Sequence, residues 1–356
     1  MASTVAWARA CRARRTGLLG AFEAVLAGIL KPEFSYLSNY SIISAMRRFD
    51  NHPSWTRYRD ILAQAFGITL HTEPTERKRQ VRGHMIRFDD WRPAGPPVGV
   101  LILVHGGGGH GRILAPCALP ALAAGWQVLA PDLPGYGLTT PAPGFDGDYA
   151  EWPAVIAELA DQVEAGPVVL MGLSLGGMTA VSAAQKSARV RGVIATTLLD
   201  MSDPETFVGV ARWRWLGRLS LGFMRRAPAL FDRLIMPLGL VTPLRAMSSH
   251  RALQRYFERD RLIGGRWVRA KFFRTLQQHR LADPKLDCPL LLVHPGADAW
   301  TPVSMSLPTF AQIAGVKSFQ LLSNGAHLPA ESPAFAELGQ AMQAFLGAIA
   351  APSASD

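Results

Sequence analysis

Cysteine is scarce in this sequence: 356 residues contain three, Cys11, Cys117 and Cys288. An odd, sparse set gives no disulfide framework and fits a reducing cytosol. Cys117 and Cys288 read as core packing rather than as reactive thiols. No CxxC pair and no His/Cys cluster occurs, so no metal site and no cofactor are expected. No apolar run is long enough to span a bilayer. Internal repeats and long low-complexity segments are also missing, so nothing suggests a repeat architecture.

The first residues include ARACRARRTGLLGAFEAVLAGIL, four arginines followed by a short apolar stretch that has the look of an export signal. Glu23 interrupts the stretch, and no small-x-small cleavage site follows before Lys31 and Pro32. An amphipathic helix docked on the body or on a membrane surface is the expectation instead.

Charge is present but uneven. The net value is +10. Residues 1–92 carry a balance of +7 and residues 203–286 one of +11, against −8 for the remainder. An acidic body with two basic appendages fits contact with an anionic membrane surface better than it fits nucleic acid, for which no binding motif is present.

Residues 1–80 read as a helical N-terminal extension, with a helix from about Ser54 to Phe66 that opens at Pro53 and stops at Gly67. VRGHMIRF, from Val81, alternates as a half-buried strand. Further strands fall at 98–104, 126–132, 167–172, 190–196, 289–295 and 317–322. Helices fall between them at 113–125, 148–164, 175–187, about 302–314 and 330–349. Continuous apolar runs such as VGVLILV suit strands buried on both faces. Strand–helix alternation implies right-handed crossovers and a mostly parallel central sheet flanked by helices, in two core parts, 81–202 and 287–350. The insertion between them, 203–286, reads as a helical lid.

Four loops that follow predicted strands carry the chemistry-bearing residues. Ser174 follows PVVLMG, Asp298 follows PLLLVHPGA, His327 follows KSFQLLSNGA, and HGGGG follows VGVLILV. Ligands bind at this edge of such a sheet. A serine hydroxyl becomes a useful nucleophile when a base removes its proton. On a sharp strand-to-helix turn the oxygen is exposed, and the close approach of strand and helix demands small residues at Gly172, Gly176 and Gly177. His327 is placed to take the proton and Asp298 to hold the imidazole. The N–H of Leu175, with that of Gly107 or Gly108, would receive the oxyanion; one such donor contributes about 3–4 kcal/mol.

These motifs resemble the α/β-hydrolase family over residues 81–349. GLSLG is similar to the nucleophile elbow, HGGGGH to the oxyanion loop, DLPGYG to the turn after the fourth strand, HPGADAWTP to the acid loop and NGAHLP to the histidine loop. The order Ser, Asp, His is the family's order. The late histidine loop and the large insertion look most like the monoacylglycerol lipase and lysophospholipase type of serine esterase. Dehalogenases and epoxide hydrolases of the family use aspartate where this chain has Ser174.

Each residue also has a plainer reading. Asp298 is either the acid or a cap for the following helix, with Asp200 as its rival. His110 and Arg112 either reach substrate or lie in a solvated loop. Trp300 either meets substrate or packs near Asp298. His105 and His294 read as structural. In the lid, helical spacing puts Arg214, Arg218 and Arg225 on one face, with Trp215, Leu216, Leu219 and Phe223 roughly opposite. Trp215 is thereby expected to meet substrate or a lipid surface.

The expected function is cofactor-free hydrolysis of a small-molecule or lipid ester through an acyl-enzyme on Ser174, with an acyl-chain substrate favoured. Acyl transfer and thioester cleavage would use the same triad. A non-catalytic binding module would lack one of its members. Nothing in the sequence sets an oligomeric state.

Overall fold

The computed structural model describes residues 48–351 apart from 51 and 165. The signal-like start and most of the expected N-terminal helices lie outside the described residues. Helix α1, Pro53–Phe66, opens with the His52 side chain accepting from the Ser54 N–H and closes on Gly67 at φ 67°. It buries Trp55, Tyr58 and Leu62.

An eight-stranded sheet follows, in the order β1-β2-β4-β3-β5-β6-β9-β10. Its first two strands are β1 (Thr75–Val81) and β2 (His84–Trp91). They form an antiparallel hairpin whose two-residue turn, Arg82–Gly83, has positive φ at both positions, 51° and 78°. VRGHMIRF is therefore not one strand; the chain reverses inside it. The sheet also starts earlier than expected, at Thr75. Strand β1 was illegible because TERKRQ is almost wholly exposed and does not alternate. Its Arg77, Lys78 and Arg79 suit an edge strand that must not recruit another chain.

The remaining strands are β3 (Val100–Val104), β4 (Gln127–Pro131), β5 (Val168–Gly172), β6 (Val190–Ala195), β9 (Leu290–His294) and β10 (Lys317–Leu321). They pair in parallel with one another, and β2 joins β4 antiparallel. The two-residue period sorts their side chains. Ile102, Val104 and Leu170 face helices α3 (Glu151–Asp161) and α4 (Leu175–Ala184) and the lid. Leu101, Leu103, Val169 and Met171 face α1, α2 (Ala115–Ala123) and the C-terminal helix Ala334–Ala350.

The insertion 203–286, read above as a lid, is mostly helical, but it also contains a small antiparallel pair, β7 (Ile235–Pro237) with β8 (Trp267–Arg269). Its first two helices are α5 (Pro204–Val210) and α6 (Arg214–Arg226). Gly217 is the point where α6 crosses α5: a Cβ there would lie 3.0 Å from the Val208 Cα. The buried face of α6 is Gly217, Leu221 and Met224. Trp215 and Leu219 point outward, 45% and 62% exposed, whereas Leu216 lines a cavity and Phe223 packs against the core, so the apolar stripe is divided between the two sides of the helix. Among the described residues no helix is long and apolar enough to cross a membrane.

Candidate active site

Strand β5 ends at Gly172, and α4 begins at Leu175. Ser174 lies between them at φ 56°, ψ −133°. Such a conformation costs a non-glycine residue on the order of 1–3 kcal/mol and persists only where the surroundings enforce it. Here they do. A Cβ at Gly172 would lie 2.0 Å from the Gly176 carbonyl oxygen, and one at Gly176 would lie 2.2 Å from that of Val104. The Ser174 N–H is held by Thr196 Oγ1 at 3.2 Å.

The glycine loop after β3 runs against this turn: a Cβ at Gly106 would lie 2.7 Å from the Ser174 Cβ. Gly107, Ser174 and Leu175 line one wall of a largely apolar cavity. Leu175 is the first residue of α4, so its N–H has no partner within the helix. Gly108, at φ 84°, is not among the cavity-lining residues, and a Cβ there would lie 2.2 Å from Leu238 of the lid. Apolar lid residues, among them Phe207, Leu216, Met224 and Met236, form the opposite wall.

Asp298 and His327 come together from the loops after β9 and β10. His327 Nδ1 lies 2.7 Å from Asp298 Oδ2. The carboxylate also accepts from the N–H groups of Trp300 and Thr301, both at 2.9 Å, and from Thr301 Oγ1 at 2.7 Å. Asp298 thus serves both as a turn cap and as the partner of the imidazole. Burial raises its pKa, but the hydrogen bonds and charge from His327, together with Thr301, bring it down to about 2. His327 is 2% exposed, and its Nε2 has no hydrogen-bond partner among the described residues. Asp200 is elsewhere: it bonds Ser202 and lines a neighbouring cavity with His279 and Arg280.

Trp300 packs beside the imidazole, ring centroids 4.6 Å apart, and also lines the main cavity. Its Nε1–H donates to the Val210 carbonyl at 3.0 Å, tying the acid loop to the lid. Trp215 is outside the cavity lining and stacks on Trp213; its neighbour Leu216 faces the cavity instead.

His110 and Arg112 are not in a solvated loop, and neither lines the cavity. Arg112 is fully buried and forms a bidentate pair with Asp89, at 2.7 and 2.6 Å. His110 is 1% exposed, and burial drives its pKa well below the usual imidazole value. His105 shapes the loop: its Nε2 accepts from the Leu133 N–H at 2.9 Å, which leaves Nδ1 to donate to the Gly106 carbonyl. Burial lowers its pKa to about 4. Thr301 and Leu238 were missed in the sequence. Thr301 had a signal, since it directly follows the acid loop's tryptophan; Leu238 had none. Among the described residues no group of three or more His, Cys, Asp and Glu is placed to hold a metal ion.

Residues 101–338 match the family model described as "Alpha/beta hydrolase family". A pimeloyl-[acyl-carrier protein] methyl ester esterase of Xanthomonas oryzae is 38% identical over 93 residues, 26% of this chain. That match spans 34% of the Xanthomonas protein's length. The enzyme of the same name from Neisseria meningitidis is 27% identical over 66% of this chain and 89% of its own. A phospholipase of Bacillus subtilis is 26% identical over 63% of this chain and 85% of its own. Among solved structures, a monoglyceride lipase of Saccharomyces cerevisiae superposes with a TM-score of 0.64 at 18% identity, covering 81% of this chain and 99% of that one. A monoacylglycerol lipase of Paleococcus ferrophilus gives 0.56 at 23% identity, covering 74% and 99%.

Proposed function

The chain belongs to the alpha/beta hydrolase family, and from that premise we propose that it hydrolyses a carboxylic ester through an acyl-enzyme on Ser174. The observation that carries this reading is the strained Ser174 turn, which aims a hydroxyl-bearing residue into a largely apolar cavity. In the first half-reaction Ser174 Oγ attacks the ester carbonyl while His327 Nε2 takes its proton. Asp298 stays ionised and stabilises the imidazolium. The N–H groups of Leu175 and Gly107 receive the oxyanion, and the collapsing intermediate expels the alcohol with the proton from His327. Water then attacks the acyl-enzyme by the same route in reverse and releases the acid. Nε2 makes no hydrogen bond among the described residues, Ser174 Oγ included, so the route requires the hydroxyl to turn toward it.

The cavity walls favour an acyl chain. They are built from Phe207, Leu216, Met224 and Met236 rather than from charged groups. The activities named for the sequence relatives, methyl ester esterase and phospholipase, point the same way. An ester panel graded by chain length and head-group charge tests this, run on wild type and on Ser174→Ala. Wild type should prefer acyl chains over acetate, and the variant should lose about 10⁴-fold or more in kcat. Full activity in the variant on short p-nitrophenyl esters would remove the reading. Adding an alcohol or amine acceptor separates hydrolysis from acyl transfer.

A peripheral membrane contact is part of the same reading. The outward Trp215 and Leu219 on α6 lie beside the exposed Arg218, a combination suited to anionic lipid headgroups. Binding to anionic vesicles should exceed binding to neutral ones and fall with salt. Equal binding to both would exclude it.

A further inference from the structure

The oxyanion loop is braced from behind by a segment outside the residues that match the family model. Phe49 is fully buried although Arg48 and Asp50 on either side are exposed. Its ring lies on the imidazole of His110, centroids 4.7 Å apart. The guanidinium carbons of Arg87 and Arg112 sit 4.5 and 5.4 Å from the same ring. Trp55 faces Arg112 at 4.8 Å, and Asp50 accepts from Arg112 Nη2 at 3.3 Å. One turn further along α1, the Tyr58 hydroxyl donates to the Ile113 carbonyl at 2.8 Å.

His110 and Arg112 lie where the glycine loop ends. The loop enters at His105, anchored on Leu133, and closes on itself through the Gly109 N–H to the Gly106 carbonyl at 3.1 Å. On leaving, Gly111 is bonded to Asp132 at 2.7 Å and Arg112 to Asp89. His110 differs from these anchors. Neither of its ring nitrogens has a hydrogen-bond partner among the described residues. A buried polar ring without partners calls for an explanation. Its position is set by packing, and the Phe49 ring supplies that packing.

We propose that Phe49 is a positioning residue for the reaction at Ser174, acting through His110 and Arg112 to hold the oxyanion loop in register with the nucleophile. The inference rests on the reading of Ser174 given above. The loop passes so close to Ser174 at Gly106 that it has little room to drift. Misplacing catalytic groups by about 1 Å can lower a rate by about 10²-fold even when the mutation is remote.

The test uses the full chain with Phe49→Leu, which keeps apolar volume but removes the ring face, and with Phe49→Ala. Rates on a short, soluble p-nitrophenyl ester are normalised to active sites titrated with a fluorophosphonate, so a folding defect does not count as a catalytic one. Affinity for a trifluoromethyl ketone, which forms an oxyanion adduct with a serine, is measured alongside. We expect kcat per site to fall about tenfold or more, KM to stay within about twofold, and ketone affinity to fall with kcat. Wild-type kcat per site and ketone affinity in Phe49→Leu would overturn the inference, as would a change confined to KM. If Ser174→Ala is inactive while Phe49→Leu matches wild type, the reading of Ser174 stands and the positioning role falls. Full activity in Ser174→Ala removes both.

Discussion

The strand-end rim and the lid face each other across one cavity, and they are built by different means. On the rim, side chains are held by backbone. Ser174 is forced into its turn by glycine contacts of about 2 Å for any added Cβ, and Asp298 is held by two backbone N–H groups and by Thr301. In the lid, the cavity wall is held by apolar packing, while the four arginines of α6 face solvent. Hydrogen bonds are directional and apolar contact is not. The rim is therefore suited to chemistry that tolerates no drift, and the lid to selecting substrates by shape.

The largest expected effect that would sharpen this contrast is on the rim. Asp298→Asn should lower kcat by about 10⁴-fold, by disturbing the imidazole tautomer and removing the charge beside it. It should also reduce stability. The Asp298 pKa is lower in the folded chain than its ordinary value of 3.8. Its stabilising contribution is thus present above that ordinary value and is lost as pH falls toward about 2. Near pH 7 the contribution is about 2 kcal/mol. Denaturation of wild type and variant at pH 7 and pH 2.5 checks this: the gap should narrow at the lower pH, and a constant gap would contradict it.

A smaller effect is expected where the lid meets the rim. Leu238→Ala uncovers Gly108 and enlarges the cavity, so relative kcat/KM should move toward bulkier acyl chains by about tenfold. An equal change for every chain length would show that Leu238 supports the rim rather than selecting substrate. The smallest effect belongs to the outer lid. The double variant Trp215→Ala, Arg218→Glu should leave hydrolysis of a short soluble ester within about twofold, since neither residue lines the cavity. Its binding to anionic vesicles should weaken. A large loss on the soluble ester would break the division between an inner, selecting face and an outer, docking face.

Legibility followed the same division. The Gly172–Gly176 turn was readable because a strand, a serine and a helix start within a few residues, and turn chemistry is local. The parallel core strands were readable from their unbroken apolar runs. Strand β1 was not, because an exposed edge strand of charged residues has neither alternation nor an apolar run. Whether Trp215 would meet substrate or face outward was not legible, because helical spacing defines faces only relative to one another. The close crossing at Gly217 decides which face turns inward.

By itself the sequence determined the order and type of the core strands from β3 onward and the loops on which Ser174, Asp298 and His327 sit. Period, glycine spacing and turn residues are properties of neighbours along the chain. Only the tertiary structure decided that Asp298 rather than Asp200 meets the imidazole, that Arg112 and His110 are buried, and that Phe49 lies behind the glycine loop. Those outcomes depend on contacts between residues tens of positions apart, and burial is set by what the whole fold brings against a side chain.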